Sequence, residues 1–239
     1  MTRLPLVSTM LAMLACAVVI VNATAPSAQT APQSKPFPLD SVSGLTLHGV
    51  QADAVEHRGQ KAVRLQELNE VRNEAIAILN GVAFTDGVIE VEVAGAPRAG
   101  APEGSRGFIG IAFRVRPDAA RMECFYLRPT NGRADDQLRR NHSTQYVSSP
   151  EFPWERLRKE RPGVYESYVD LAPGVWTRMR IVVNGVKARL HVHGADQPAL
   201  IVNDLKLGTE GGGVALWIGQ GTEGHFSNLR ITPTTSSGH

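Results

Sequence analysis

Apolar residues in this chain recur at every second position over short runs, and Gly, Asn, Asp and Pro break the runs. Such alternation marks half-buried β-strands, because successive side chains of a strand point to opposite faces. The pattern predicts strands at 45–50, 62–68, 75–79, 87–93, 108–115, 122–128, 144–148, 165–171, 177–183, 188–193, 199–204, 213–218 and 225–231. Helical periodicity is scarce, and 153–161 (PWERLRKER) is the one predicted helical piece, a short insertion in a loop. The stretch 179–192 reads as a hairpin with Asn184-Gly185 at its centre, since Asn-Gly supplies the positive φ angles of a tight turn. Many strands with Gly-rich turns predict an all-β, two-sheet antiparallel sandwich. No internal repeat of fixed period is present, which argues against a propeller or solenoid.

Several blocks in this order carry a resemblance: FTDGVIEVEV (84–93), GFIGIAFRV (107–115), ECFYLRP (123–129), WTRMRIVVNGVKARLHVHG (176–194) and GGGVALWIGQGTEGHFSNLRITP (211–233). Over roughly residues 40–233 the chain resembles the concanavalin A-like lectin/glucanase jelly roll. More narrowly, it resembles the LamG-like and 3-keto-disaccharide-hydrolase-like domains of secreted bacterial proteins. The resemblance implies a jelly-roll sandwich. It does not select an activity, because the superfold hosts lectins, hydrolases, lyases and adhesion modules. The chain departs from the laminarinase-like branch: Glu90 and Glu92 share a strand face, but the E-x-D-x-x-E carboxylate motif is missing.

Alternation also sorts side chains between faces. Ile109, Ile111, Phe113 and Val115 form a core face, opposite Phe108, Gly110, Ala112 and Arg114. Phe125 and Leu127 oppose Cys124, Tyr126 and Arg128; Tyr165, Val169 and Leu171 oppose Glu166, Tyr168 and Asp170. Three strands thus offer a second face rich in Arg, Tyr and carboxylate. Such a face suits sugar binding, since Arg and carboxylate pair with hydroxyls and aromatic rings cover a pyranose. An ordinary solvated face with cross-strand ion pairs carries the same pattern.

Two charged insertions flank these strands. The first, GRADDQLRRNH (132–142), follows the Tyr126/Arg128 strand, and with Asn131 it offers Arg133, Asp135, Asp136, Gln137, Arg139, Arg140 and His142. The second, 149–168, contributes Trp154, Glu155, Arg156 and Arg158 before Glu166 and Tyr168. Loops held on a rigid scaffold commonly carry function; mutual surface salt bridges are the plain alternative. Asp136 with Glu166 is the expected catalytic pair and His142 the expected proton shuttle. Arg114, Tyr126, Arg128, Asn131, Arg133, Asp135, Gln137, Arg139, Arg140, Trp154 and Tyr168 are the expected substrate-binding set. Glycoside hydrolysis needs two carboxylates, whereas a polysaccharide lyase needs a base such as His or Tyr with a cation beside a uronate. The Arg content is compatible with acidic or keto sugars.

No cofactor is expected. Asn131, Asp135 and Asp136 could offer oxygens to a structural Ca²⁺, but no EF-hand-type loop is present. His191 and His193 have no evident third partner for a metal. No G-x-S-x-G and no phosphate-cradling loop before a helix is found.

The N-terminus reads differently. Arg3 precedes an apolar run at 11–21 and small-residue cleavage signals follow, the layout of a secretory signal peptide over 1–28. The run is shorter than a bilayer span, and lipidation at Cys16 is the less favoured reading because Met13 suits that signal poorly. Residues 29–39 read as a disordered linker, 40–233 as the jelly roll and 234–239 as a flexible tail. The formal charge of +2 over 239 residues falls to +1 without Arg3, which gives no support to nucleic-acid or membrane-surface binding. Cleavage would leave Cys124 as the single cysteine, and no internal disulfide. The expectation is an exported, periplasmic or extracellular carbohydrate-active protein, glycoside hydrolase-like or lyase-like. The alternatives are a non-catalytic lectin-like module and an envelope structural or adhesion domain. Neither the sugar nor the oligomeric state follows from the sequence.

Overall fold

Two antiparallel sheets face each other across a continuous apolar core. The computed structural model describes Met1, residues 33–68 and residues 75–234; the expected signal peptide beyond Met1 lies outside the described residues, as does the tail after Thr234. All elements fall within the unit Pro32–His239. They are β1 Lys35–Phe37, β2 Leu45–His48, β3 Val50–His57, β4 Gln60–Glu67, β5 Ala75–Leu79, β6 Gly87–Pro97, β7 Ile109–Val115, β8 Met122–Leu127, α1 Gln137–Asn141, β9 Thr144–Ser149, α2 Trp154–Glu160, β10 Glu166–Ser167, β11 Thr177–Asn184, β12 Lys187–Val192, β13 Leu200–Val202, β14 Gly213–Ile218 and β15 Thr222–Pro233. One sheet runs β13-β12-β11-β6-β15-β4-β3, with β1 also paired to β15; the other runs β10-β9-β8-β7-β14-β5-β2.

The alternation that predicted the strands also builds the core. Ile109 and Ile218 of one sheet pack against the backbone of Gly95 and Gly224 in the other. Phe84 meets Phe113 edge-on with centroids 6.3 Å apart, and Phe113 stacks on Phe125 at 6.2 Å. Within this core sits a carboxylate, Glu123, with no exposed surface. The Tyr146 hydroxyl donates to it at 2.6 Å and the Leu207 amide at 2.7 Å. Burial pushes its carboxyl upward, and those hydrogen bonds oppose the shift.

Several expectations are corrected here. The stretch read as linker contains β1, which pairs with β15 through Lys35↔Ile231 and Phe37↔Leu229. The strand predicted at 45–50 is two strands in different sheets, parted at Gly49 with φ +64°. The strand predicted at 165–171 shrinks to the two residues of β10, and α1 was not foreseen. The hairpin turn lies one residue later than predicted: Asn184 pairs with Lys187, so Gly185 and Val186 form the loop. Gly185 has φ +57° and Val186 is not at positive φ, the pattern of a turn with Gly at its first central position.

The largest correction concerns Arg114. Its neighbours Phe113 and Val115 pair with the consecutive residues Val214 and Gly213, so Arg114 is the extra residue of a β-bulge, at φ +52°. Alternation fails there, and the side chain is wholly buried. Its guanidinium donates to the carbonyls of Thr85, Gly208 and Gly185 and to Asp86, the last pair at 3.1 Å. Asp86 in turn accepts from the Gly185 amide at 2.9 Å. Arg114 therefore ties the β11–β12 hairpin to the opposite sheet and contributes nothing to a sugar-binding face.

Candidate functional site

Strand register places one row of side chains on the outer face of the β10-to-β2 sheet: Ile76, Trp217, Gly110, Tyr126, Gln145 and Glu166. A Cβ on Gly110 would lie 2.1 Å from the Phe125 carbonyl and 2.6 Å from the Tyr126 Cα. With no side chain there, the rings of Tyr126 and Trp217 meet over it at 4.8 Å. Phe108 lies 5.3 Å from Tyr126. Burial pushes the Tyr126 phenol up to about 12, against the pull of Arg128, so it stays protonated.

Arg128 follows β8 on the same face and is 4 % exposed. It donates to the Tyr126 hydroxyl at 3.0 Å, to Gln145 Oε1 at 3.0 Å and to the His142 carbonyl at 3.3 Å. Its Nε is buried without a hydrogen-bond partner among the described residues. The guanidinium also sits 5.2 Å from the Phe108 ring and 5.6 Å from the Trp154 ring.

The row ends at Glu166 on the edge strand β10, where both charged insertions arrive. Asp136 accepts from the Arg139 amide at 2.6 Å and so caps α1. Asn131 donates to the His142 carbonyl at 3.1 Å and accepts from Arg139 Nε at 3.0 Å, while Arg139 also reaches Thr130. That bracing delivers His142, at the C-terminal end of α1, to the floor. From the other side, α2 begins after Pro153, carries Glu155 in its first turn and Arg158 and Lys159 in its last, as the helix dipole favours. Arg158 grips Glu166 through two parallel bonds, Nε to Oε1 at 2.8 Å and Nη2 to Oε2 at 2.7 Å, and lies 4.5 Å from the Trp154 ring. Glu166 further has Arg128 Nη1 at 3.6 Å and His142 Nε2 at 3.5 Å.

Between the insertions lies an open depression of about 770 Å³. Leu138, Asn141 and His142 form one wall, Arg158, Pro162 and Gly163 the other, and Glu166, Ser167 and Tyr168 the floor. Tyr168 is 44 % exposed, and Arg140 donates to its hydroxyl at 3.0 Å with the guanidinium 5.1 Å from the ring. Burial, and the positive charges of Arg158 and Arg128, lower the basicity of His142 although Glu166 pulls the other way. At neutral pH the imidazole is therefore uncharged.

The structure brings together Glu166, His142, Tyr168, Arg128, Tyr126, Trp154 and Arg140 from the sequence-predicted set. It separates others. Asp136 is a helix cap and does not line the depression, so it does not face Glu166 as a second carboxylate across a ligand. Arg133 is exposed and held by Asp170 through contacts of 2.7 and 3.0 Å. Gln137 bonds Asn141 along α1 at 2.8 Å, Asp135 is on the surface, and Asn131 and Arg139 are braces. Gln145 and Trp217 were missed, although alternation along 144–148 and 213–218 would have put both on the Tyr126 face. His191 and His193 diverge, to the carbonyls of Ala195 and Asp170. Among the described residues no group of three or more His, Cys, Asp and Glu side chains is placed to hold a metal, and no helix is long and apolar enough to cross a membrane.

No family model matches the chain, and no curated protein matches it in sequence. Solved structures match in fold. The carbohydrate-binding module CBM66 of Bacillus subtilis superposes with TM-score 0.55 at 11 % identity, over 79 % of this chain and 96 % of that one. A Bacillus subtilis protein of unknown function with a galectin-like fold gives 0.54 at 11 %, over 83 % and 94 %. The exoplasmic/lumenal domain of VIP36, in its Ca²⁺/Man3GlcNAc-bound form, gives 0.51 at 9 %, over 85 % and 89 %. The chain has the two-sheet antiparallel jelly-roll fold of these structures.

Proposed function

We propose that this is an exported carbohydrate-binding jelly-roll protein whose ligand sits in the depression between α1 and α2. One observation carries the reading: two charged insertions, one on either side of β9, converge on a depression that combines an aromatic ring, Tyr168, with a fixed ion pair, Arg158–Glu166. Rings that cover a pyranose face and charged groups that bond its hydroxyls are what a saccharide requires. The named functions of the fold neighbours, a carbohydrate-binding module and a mannose-glycan-bound luminal domain, support it. Binding is favoured over two-carboxylate hydrolysis because Glu166 is the one carboxylate lining the depression among the described residues.

A second reading, lyase-type proton abstraction, is favoured by His142, a neutral imidazole at the wall beside Arg158. A glycan-array screen of the purified chain beside its Tyr168→Ala variant tests the binding reading. Saccharide binding that drops about tenfold or more in the variant supports it. Absence of binding to every glycan, or binding indifferent to Tyr168, overturns it. Appearance of an unsaturated product that vanishes in His142→Ala would establish the second reading.

A further inference from the structure

We infer that the ligand is an acidic saccharide, bound through a uronate carboxylate at Arg158; the inference rests on the saccharide reading of the depression. A guanidinium offers two forks, one along Nε/Nη2 and one across Nη1/Nη2. Glu166 occupies the first fork of Arg158, and the bonds Arg158 makes among the described residues use only that edge. The second fork remains for another planar, two-oxygen acceptor. Arg158 lines the depression with about a third of its side chain exposed, which gives a ligand access.

The charge balance points the same way. Arg158 and Arg128 share the single carboxylate of Glu166, and Arg128 and Glu166 have 5 % and 2 % of their side chains exposed. Two cations held at one carboxylate leave a positive charge that low-dielectric surroundings do not screen. Arg140, on the Tyr168 ring, adds a cation whose hydrogen-bond partner is a neutral hydroxyl. Of the further carboxylates, Asp170 is held by Arg133 from both oxygens, Asp136 caps α1, and Glu155, which acts on Arg158 from the first turn of α2, does not line the depression. A carboxylated sugar placed on Tyr168 would set its carboxylate against Arg158, with Arg140 at the rim. A planar carboxylate repeats on the second fork the two-point contact that Glu166 makes on the first, so a uronate is the class inferred; a sulfate ester can also engage a fork with two oxygens and is the competing arm of the test.

The experiment is calorimetric titration of the purified chain with three matched sets of oligosaccharides: uronates, their carboxyl-reduced neutral counterparts, and sulfated neutral sugars. Uronates are expected to bind at least about tenfold tighter than the carboxyl-reduced set, the preference weakening as salt rises. In Arg158→Gln, and to a lesser degree in Arg140→Gln, uronate affinity should fall to the neutral level, with circular dichroism confirming the fold of each variant. Equal or tighter binding of neutral or sulfated sugars overturns the uronate inference and leaves the saccharide reading standing. Failure of every sugar to bind overturns both. Uronate preference that survives in the folded Arg158→Gln variant also overturns the inference, because it would place the carboxylate elsewhere.

Discussion

Arg158 and Glu166 meet through a two-point contact, 2.8 and 2.7 Å long, that fastens the last turn of α2 to the edge strand β10. The carboxylate is nearly inaccessible while the guanidinium is partly open. This asymmetry makes Glu166 the anchor and Arg158 the group whose remaining edge is open to a ligand.

Removing the anchor should be costly. Glu166→Ala leaves Arg128 buried with no carboxylate, and should lower unfolding free energy by about 3 kcal/mol in urea denaturation. A drop below about 1 kcal/mol would mean that Arg128 finds water or another acceptor.

Arg114 should behave as a structural residue. Arg114→Met removes the donor that satisfies three carbonyls and Asp86, and should destabilise by about 3 kcal/mol or more. Under conditions where the variant remains folded, saccharide affinity should be unchanged. A selective loss of affinity would return Arg114 to the site.

The hairpin tip offers a cleaner test of backbone strain. Gly185 holds φ +57° and a Cβ there would meet open space, so Gly185→Ala meets no clash but an unfavourable conformation. A loss of about 1–2 kcal/mol is expected, read as a shift of the denaturation midpoint with an unchanged slope.

Glu123 sets a pH signature. Its folded carboxyl titrates above its unfolded value, so ionisation is disfavoured in the folded state. The stability this protonated form contributes is complete below the ordinary Glu value and is lost as pH rises through the folded one. Comparing wild type with Glu123→Gln by denaturation from about pH 4 to 8, starting near the ordinary Glu titration, the wild type should lose ground to the variant as pH rises. A constant difference would show that the carboxyl is not shifted.

His142 predicts a second signature, in binding. Its basicity is lowered, chiefly by burial, so it is uncharged at neutral pH and gains charge at a lower pH than an ordinary histidine. Affinity for a uronate should therefore strengthen as pH falls below about 6.5 while the sugar carboxylate stays ionised. His142→Gln should flatten that dependence, and an identical slope in the variant would assign the titration to another group.

Much of the sandwich was legible because alternation is read directly from the chain, and the inward Ile109, Ile111, Phe113 and Phe125 follow it. What failed did so for local reasons. The bulge at Arg114 adds one residue and reverses the facing that alternation assigns. The turn slipped by one because Asn-Gly usually occupies both central positions, whereas here Asn184 remains paired with Lys187. β1 escaped notice because three residues beside Pro-rich sequence carry no periodic signal. At the site, the convergence of the two insertions followed from their attachment to neighbouring strands. The division of labour within them did not, since nothing in GRADDQLRRNH separates a capping Asp136 or a bracing Arg139 from a residue that meets the ligand.

Both walls of the depression are spliced into connections between strands and add no strand to either sheet, although Leu157 of α2 reaches into the core. Inheritance of the scaffold and inheritance of the ligand are therefore separable traits. Homologues could diverge freely in what they recognise by rewriting 132–142 and 150–164 alone, and grafting these two segments onto a sister domain is the natural route to transplanting recognition.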